Sequence, residues 1–456
     1  MHRVASVSGS IQDPSGADKA PSAAIKAPSA AIKAPSAAIK APSAAIKAPS
    51  AANKAPSAAN KAPSAAVKGP SAPISRPAAL FAPPVPATLR GVAQRVLMAM
   101  SGGVDSSVAA ARLRDQGYDV VGVTLHLWDT PDDGSVRGRC CAPEDQRDAR
   151  RVADHLGIPH YTFDRRELFR QHVVDPFVGA YLDGETPSPC VACNRSVKLR
   201  ELFPLAERLG ASLVATGHYA RVVVVEGVPR LYRGRDRVKD QSYFLHMLRS
   251  DELARLSLPL GDATKEEVRA EAVARRLPGA EKGESQELCF VPTGRYDAFV
   301  AARAPRERLR PGPIVDGAGR TVGQHGGVHA FTLGQRKGLG VALGKPVFVV
   351  GLDAESATVR LGDEAQLLAS EARITGAAWS DDVCFPLEAE VRVRARHDGE
   401  RAVIERLADP DGGEGVFMAR FLEPVRAISP GQVAVAYLGD RVLGGGVISA
   451  AGDDLR

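Results

Sequence analysis

The sequence predicts an α/β domain built on a parallel sheet, then a small central β module, then a C-terminal β-barrel, all behind a disordered N-terminal repeat tail. Three observations carry this. Apolar, strand-like runs alternate with helical stretches across residues 91–298. Short β-rich runs between glycine turns replace that alternation across 299–364 and 365–456. A proline-punctuated repeat dominates residues 1–90.

Residues 1–90 hold eleven Lys or Arg and two Asp or Glu, net +9. The remaining 366 residues hold 48 basic and 51 acidic groups, net −3. The basic balance of the chain therefore belongs to the tail and gives no ground for a nucleic-acid-binding core, which needs a local patch. From Lys19 to Ile74 run eight copies of a seven-residue repeat, mostly Lys-Ala-Pro-Ser-Ala-Ala-Ile. A period of seven invites a coiled coil, but a proline in every repeat breaks a helix. One large apolar residue per repeat is too little to offset ordering entropy. The expectation is a disordered, partly polyproline-like spacer. An organellar transit peptide shares the Ala/Ser-rich, acid-poor composition. Few arginines and the proline spacing argue against it.

Val96–Met100 reads as the first strand, and Ser101-Gly102-Gly103-Val104-Asp105-Ser106-Ser107 as the turn after it. A helix is expected over Val108–Gln116, with Gly117 placed to stop it. Such a turn leaves N–H groups at a helix N-terminus, where they cradle anionic oxygens. Gly102 and Gly103 permit close backbone approach, and Ser101, Ser106 and Ser107 add hydroxyl donors. The run lacks the Gly-Lys-Ser/Thr ending of a Walker A loop, which argues against a kinase or GTPase. Further strands are expected at Asp119–Thr124, His160–Phe163 and Ser212–Thr216, with helices at Ala142–Gly157 and Ser196–Gly210. This alternation gives a parallel sheet with right-handed crossovers. Ligands then lie beyond the carboxyl ends of the strands. Three strand ends face one crevice: Ser101–Ser107, Leu125-His126-Leu127-Trp128 and Gly217-His218-Tyr219. Trp128 borders that pocket or packs in the core; His218 is read as functional rather than structural.

The β-rich runs are Thr321-Val322-Gly323, Val347–Val350, Glu390–Ala395, Gly415–Phe421, Gln432–Leu438 and Gly444–Ile448. Arg336 and Lys337 form a basic turn suited to phosphates or to plain solvation. Six cysteines in so long a chain make no disulfide scaffold; a reducing, cytoplasmic setting with reactive or metal-binding thiols fits. No run of 18 apolar residues is present, so no membrane span is expected. Pro187-Ser188-Pro189-Cys190-Val191-Ala192-Cys193-Asn194 sets two thiols three apart at a helix-like start, where a helix N-terminus lowers thiol pKa. Cys289 lies in Ser285-Gln286-Glu287-Leu288-Cys289-Phe290. Cys384, in a β-rich segment, reads as an inert buried thiol.

The turn matches SGGxDS, the signature of the PP-loop ATP pyrophosphatases (adenine nucleotide alpha hydrolase-like domains). With the cysteines, residues 92–450 resemble the bacterial tRNA-specific 2-thiouridylases. The resemblance rests on Ser101–Ser107, Thr186–Lys198, ATGHYAR at Ala215–Arg221, KDQSYFL at Lys239–Leu245 and Leu288–Val291. Gly323–His325, FTLGQRKGLG at Phe331–Gly340, Ser429–Gln432 and Leu443–Gly446 extend it. The tail takes no part.

That resemblance implies ATP-dependent 2-thiolation of a tRNA wobble uridine: adenylation of the uracil 2-oxygen, then sulfur transfer from a cysteine persulfide. Cys289 is the implied persulfide carrier and Cys193 the nucleophile that resolves the intermediate by disulfide exchange, so a disulfide bond belongs to the expected cycle. By the same carry-over Ala99, Met100, Ser101, Gly102, Gly103, Val104, Asp105, Ser106, Leu125 and Gly217 contact ATP. Ser188, Pro189 and Cys190 meet the target base. His218, Lys239, Asp240, Gln241, Arg394, Ala395 and Gln432 lie near tRNA. Asp105 positions Mg²⁺ and pyrophosphate or caps the helix. The implied partners are tRNA and a persulfide donor, a cysteine desulfurase or sulfur-relay protein. One departure stands out: many family members carry Asp three residues before the nucleophile, where this chain has Cys190. Cys190 and Cys193, with Cys140 and Cys141, are thus also candidate ligands for Zn or an iron–sulfur cluster. Two rivals remain: a metal- or cluster-dependent RNA sulfur transferase or cluster-binding protein, and another PP-loop synthetase that needs no thiols.

Overall fold

The computed structural model describes residues 93–129, 143–283, 288–291, 295–408 and 415–452. The expected tail and the pair Cys140 and Cys141 lie outside them, as do Ser285 to Glu287.

Strands β1 (Arg95–Ala99), β2 (Asp119–His126), β3 (His160–Asp164) and β4 (Leu213–Ala215) form the expected parallel sheet. Val96, Met98 and Met100 pack into one core cluster and Leu97 into another, as the two-residue period of a strand dictates. Val96, Leu97 and Met98 are fully buried, because helices cover both faces of a parallel sheet. The first helix starts earlier than expected, at Val104, and ends at Asp115; Gly117 follows with φ +85. Its buried side runs from Val104 through Ala111, so apolar periodicity alone understated its length.

Two features escaped the sequence reading. β5 (Ala220–Val225) and β6 (Val228–Arg233) form a hairpin whose turn residues Glu226 and Gly227 both have positive φ, the type I′ pattern. β7 (Leu256–Ser257) is an edge strand beside β4. The parallel sheet therefore runs β3-β2-β1-β4-β7.

β8 (Gly312–Val315), β9 (Thr321–His325), β10 (Phe348–Asp353) and β11 (Thr358–Gly362) make the central module, in the order β10-β11-β8-β9. β12 (Leu368–Trp379), β13 (Leu387–Arg392), β14 (Glu400–Arg406), β15 (Phe417–Arg426), β16 (Val433–Leu438) and β17 (Arg441–Ala451) form the barrel, closed by pairing of β12 with β17. The hairpin β5–β6 joins the same sheet where Tyr232 pairs with Arg441. Val433, Val435 and Tyr437 of the barrel share a core with Leu97 and Tyr243 of the α/β region. Tyr243 donates its hydroxyl to Val433 O at 2.8 Å, and the Arg233 guanidinium lies 3.9 Å from the Tyr437 ring centre. Barrel and α/β region are thus one packed body, although their sequence patterns change sharply between them.

Cys384 is exposed, not buried as its β-rich surroundings suggested. It lies in the loop between β12 and β13, where Val383 and Phe385 turn inward onto the barrel core. Trp128 packs against Phe169, Phe290 and Phe299 and belongs to the core. Among the described residues, no helix is long and apolar enough to cross a membrane.

Candidate active site

The sheet order reverses at β1, with β2 on one side and β4 on the other, which opens a crevice at their carboxyl ends. The glycine-serine turn leaves β1 there, and Gly217 leaves β4. A Cβ on Gly217 would stand 2.9 Å from Ser106 N, so only glycine lets β4's exit lie against the turn. Gly102 has φ +76, and a Cβ there would meet Asp145 O at 2.1 Å. Ser106 and Ser107 donate their hydroxyls to Gly103 O, at 3.0 and 2.9 Å. Ser101 N donates to Ser106 Oγ at 3.2 Å. No side chain caps the helix that begins at Val104, so its N-terminus keeps its attraction for anions.

A cavity of about 230 Å³ sits at this point. Ala99, Met100, Ser101, Asp105, Ser106, Leu125 and Gly217 line it, seven of the ten positions expected to touch ATP. Gly102, Gly103 and Val104 shape the turn behind them. His218 and Gln241 line the same cavity, which brings two expected tRNA neighbours beside the nucleotide residues. Asp145, Gln146, Asn194, Lys198 and Thr216 also line it and were not singled out in sequence. Asn194, Lys198 and Thr216 fall within the family-like segments Thr186–Lys198 and Ala215–Arg221, whereas Asp145 and Gln146 carried no signal there.

Asp105 does not cap the helix. Its carboxylate takes Lys265 Nζ at 2.7 and 2.8 Å and the Tyr219 hydroxyl at 2.8 Å. Two donor groups, making three contacts, occupy most of its acceptor capacity. A magnesium ion would have to displace Lys265, so the residues as arranged do not form a ready Mg²⁺ site. Asp145 is buried and pairs with Lys282. Burial disfavours the Lys282 charge, but Asp145 and Asp148 prevail and raise its pKa.

Thr216 Oγ1 and His218 Nδ1 lie 2.8 Å apart. Burial first, and the Lys198 charge second, push the His218 pKa down to about 3. The imidazole is therefore neutral at physiological pH. The unfolded chain binds this proton at higher pH than the native one, so the group's stabilisation is complete above pH ~6.5 and is lost as pH falls toward 3. His218→Gln is expected to flatten the acid limb of the urea midpoint plotted against pH. An unchanged limb would show that His218 is not held neutral.

Cys190 and Cys193 lie on the helix Pro189–Cys193, which continues through a wider turn at Asn194–Leu199 into Arg200–Arg208. Cys190 is exposed in the first turn, so the helix N-terminus acts on it. Cys193 is 7% exposed, one turn further on, and belongs to an apolar cluster with Phe290 and Val291. Cys289 packs on that cluster too. The two segments that carry the expected catalytic thiols, nearly a hundred residues apart, thus meet on one core. The disulfide bond of the expected cycle is not formed among the described cysteines. Among the described residues no three His, Cys, Asp or Glu side chains are grouped for a metal.

The remaining expected contacts lie away from the cavity. Gln432 donates to Thr186 O at 2.9 Å and Pro187 O at 3.2 Å, and Thr186 N donates to Pro430 O at 2.8 Å. Barrel residues thereby hold the loop that leads through Ser188 into the Pro189–Cys193 helix. Asp240 is 2% exposed at its side chain and accepts from Gly234 N, Ser242 N and Ser242 Oγ. It organises the link between hairpin and barrel. Arg394 donates to Arg426 O at 3.1 Å, and Ala395 packs against the shared core. Lys239 N donates to Asp236 Oδ1. Arg336 and Lys337 are exposed.

Family profiles match three consecutive stretches of the chain. They are described as a tRNA methyl transferase HUP domain (residues 94–293), a tRNA methyl transferase PRC-barrel domain (297–363) and an aminomethyltransferase beta-barrel domain (369–448). A Sorangium cellulosum protein named tRNA-specific 2-thiouridylase MnmA is 76% identical over 357 residues, covering 78% of this chain and 92% of that protein. Proteins of the same name from Carboxydothermus hydrogenoformans and Chloroflexus aggregans are 47% and 48% identical, each across 78% of this chain and 97% and 98% of their own.

Proposed function

This chain belongs to the tRNA-specific 2-thiouridylase family, and we propose that it uses ATP to replace the 2-oxygen of a tRNA wobble uridine by sulfur. The observation that carries the reading is the shared cavity: phosphate-loop residues, Gly217 and His218 line it, and the helix of Cys190 and Cys193 runs directly into it at Asn194.

The chemistry needs two parts. Oxide is a poor leaving group, so the uracil 2-oxygen attacks the α-phosphorus of ATP and pyrophosphate departs. The oxygen then leaves as AMP when sulfur attacks C2. The turn Ser101–Ser106 and the uncapped helix N-terminus bind the phosphates and stabilise charge on the departing pyrophosphate. Mg²⁺, when it accompanies ATP, would supply further charge neutralisation on the phosphates, and Asp105 is already held by Lys265. Cys289 carries the persulfide sulfur, delivered by a cysteine desulfurase or relay protein. After the outer persulfide sulfur has bonded to C2, the Cys193 thiolate attacks the Cys289 sulfur and breaks the S–S bond to release 2-thiouridine. This leaves a Cys193–Cys289 disulfide, which an external thiol reductant reopens for the next turnover. Ser188, Pro189 and Cys190 meet the target base, with Cys190 in the acid–base position that many relatives give to Asp. Lys239, Asp240, Gln241, Arg394, Ala395 and Gln432 support tRNA, the last through the loop it holds. Thiol-bearing segments that meet on one core, beside a PP-loop, favour sulfur transfer over methyl transfer.

Nucleoside mass spectrometry of tRNA from cells with and without this chain tests the proposal. Loss of 2-thiouridine on deletion is expected; unchanged 2-thiouridine refutes it. Removal of residues 1–85 is expected to leave thiolation at moderate salt near that of the full chain, because the repeats lie outside the family match. Only a weak, salt-screened attraction of the removed segment, net +8, for tRNA should vanish. A large loss of turnover at moderate salt would contradict this.

A further inference from the structure

Asn194 is 5% exposed, and its Oδ1 finds no hydrogen-bond partner among the described residues. A buried polar atom left unsatisfied is costly and calls for an explanation. Asn194 lines the cavity that holds Ser101, Ser106, Leu125 and Gly217. Its backbone opens the wide turn Asn194–Leu199. Turns of this kind, set inside helices, re-aim side chains and recur at functional sites.

A primary amide offers an acceptor oxygen and N–H donors, and a half-turn about its last bond exchanges them. Its acceptor oxygen repels a phosphate but complements an N–H on a base edge. Val123, Leu127, Leu199 and Leu202 give the cavity apolar walls suited to a flat ring. Ser188, Pro189 and Cys190, expected at the target base, do not line it. We propose that Asn194 reads the adenine edge of ATP, its side-chain oxygen accepting a hydrogen bond from the exocyclic amine. This rests on the reading of the cavity as the ATP site.

The test is equilibrium binding to the full-length protein without tRNA. ATP is compared with purine riboside triphosphate, which lacks the amine. The wild type is expected to prefer ATP by roughly tenfold, the value of one hydrogen bond. Asn194→Leu should bind both nucleotides alike, at the level of the analogue. Its thermal midpoint should stay or rise, since an unsatisfied buried group has been removed; a purely structural asparagine would lower it. If Asn194→Leu does not fold, Asn194→Ser is held to the same comparison. A preserved ATP preference in the variant overturns the proposal, as does an equal loss for both nucleotides. Unchanged ATP binding with a raised KM for tRNA also overturns it and assigns the amide to the uracil. A wild type that binds neither nucleotide refutes the ATP reading itself, and the proposal with it.

Discussion

Cys193→Ser and Cys289→Ser are each expected to abolish 2-thiouridine formation, by about 10³-fold or more, because a hydroxyl neither carries a persulfide nor attacks one at neutral pH. The two losses should differ in kind. Labelled sulfur from a persulfide donor should load onto the Cys193→Ser protein and stay there, since nothing resolves it. Cys289→Ser should not load at position 289. Cys193 is buried among apolar side chains, so a serine there also buries a hydroxyl at a cost of about 1–3 kcal/mol. Cys193→Ala keeps the apolar contact and should be equally inactive, which separates chemistry from folding. Thiolation above a tenth of the wild-type rate in any of these variants would sink the two-thiol mechanism. ATP-to-AMP turnover unchanged in all of them, with no 2-thiouridine formed even by the wild type, would favour a PP-loop synthetase that needs no thiol.

Gly102→Ala is expected to cut ATP-to-AMP turnover by about 10²-fold, the loss that a displacement of about 1 Å brings at a reacting centre. The new Cβ meets the carbonyl oxygen, carbon and Cα of Asp145 at 2.1, 2.8 and 2.9 Å, all backbone atoms that cannot rotate aside. The residue also sits at φ +76, where a side chain is strained. Gly103→Ala is the internal control. Gly103 has φ −88, and the nearest atom to its Cβ is Ser101 Oγ at 3.5 Å. It should keep most of its activity. AMP formation read by chromatography, with tRNA present, distinguishes the neighbours. Equal effects of the two substitutions would mean that the turn does not hold the phosphates by its shape.

The sequence by itself determined the local parts of this protein. Val96–Met100, the glycine-serine turn and the helix stopped near Gly117 were legible because period, turn chemistry and helix punctuation act over a few residues. The parallel sheet and the later β modules followed from the same signals, and the SGGxDS run with the two cysteine segments marked the candidate site. Tertiary structure alone decided what depends on atoms far apart in the chain. The hairpin Ala220–Arg233 looked like part of the α/β region, yet its partner strand lies two hundred residues on. Sequence alone offers Asp105 as a metal ligand or a cap, and only the fold sets Lys265, 160 residues away, on its carboxylate. Gly102 and Gly103 are the same residue in sequence, and only the approach of Asp145 makes one irreplaceable. The reason is common to all three: a sequence pattern reports periodicity and conformational preference, whereas clearance, charge pairing and the satisfaction of a buried polar atom are set by neighbours that the folded chain brings together.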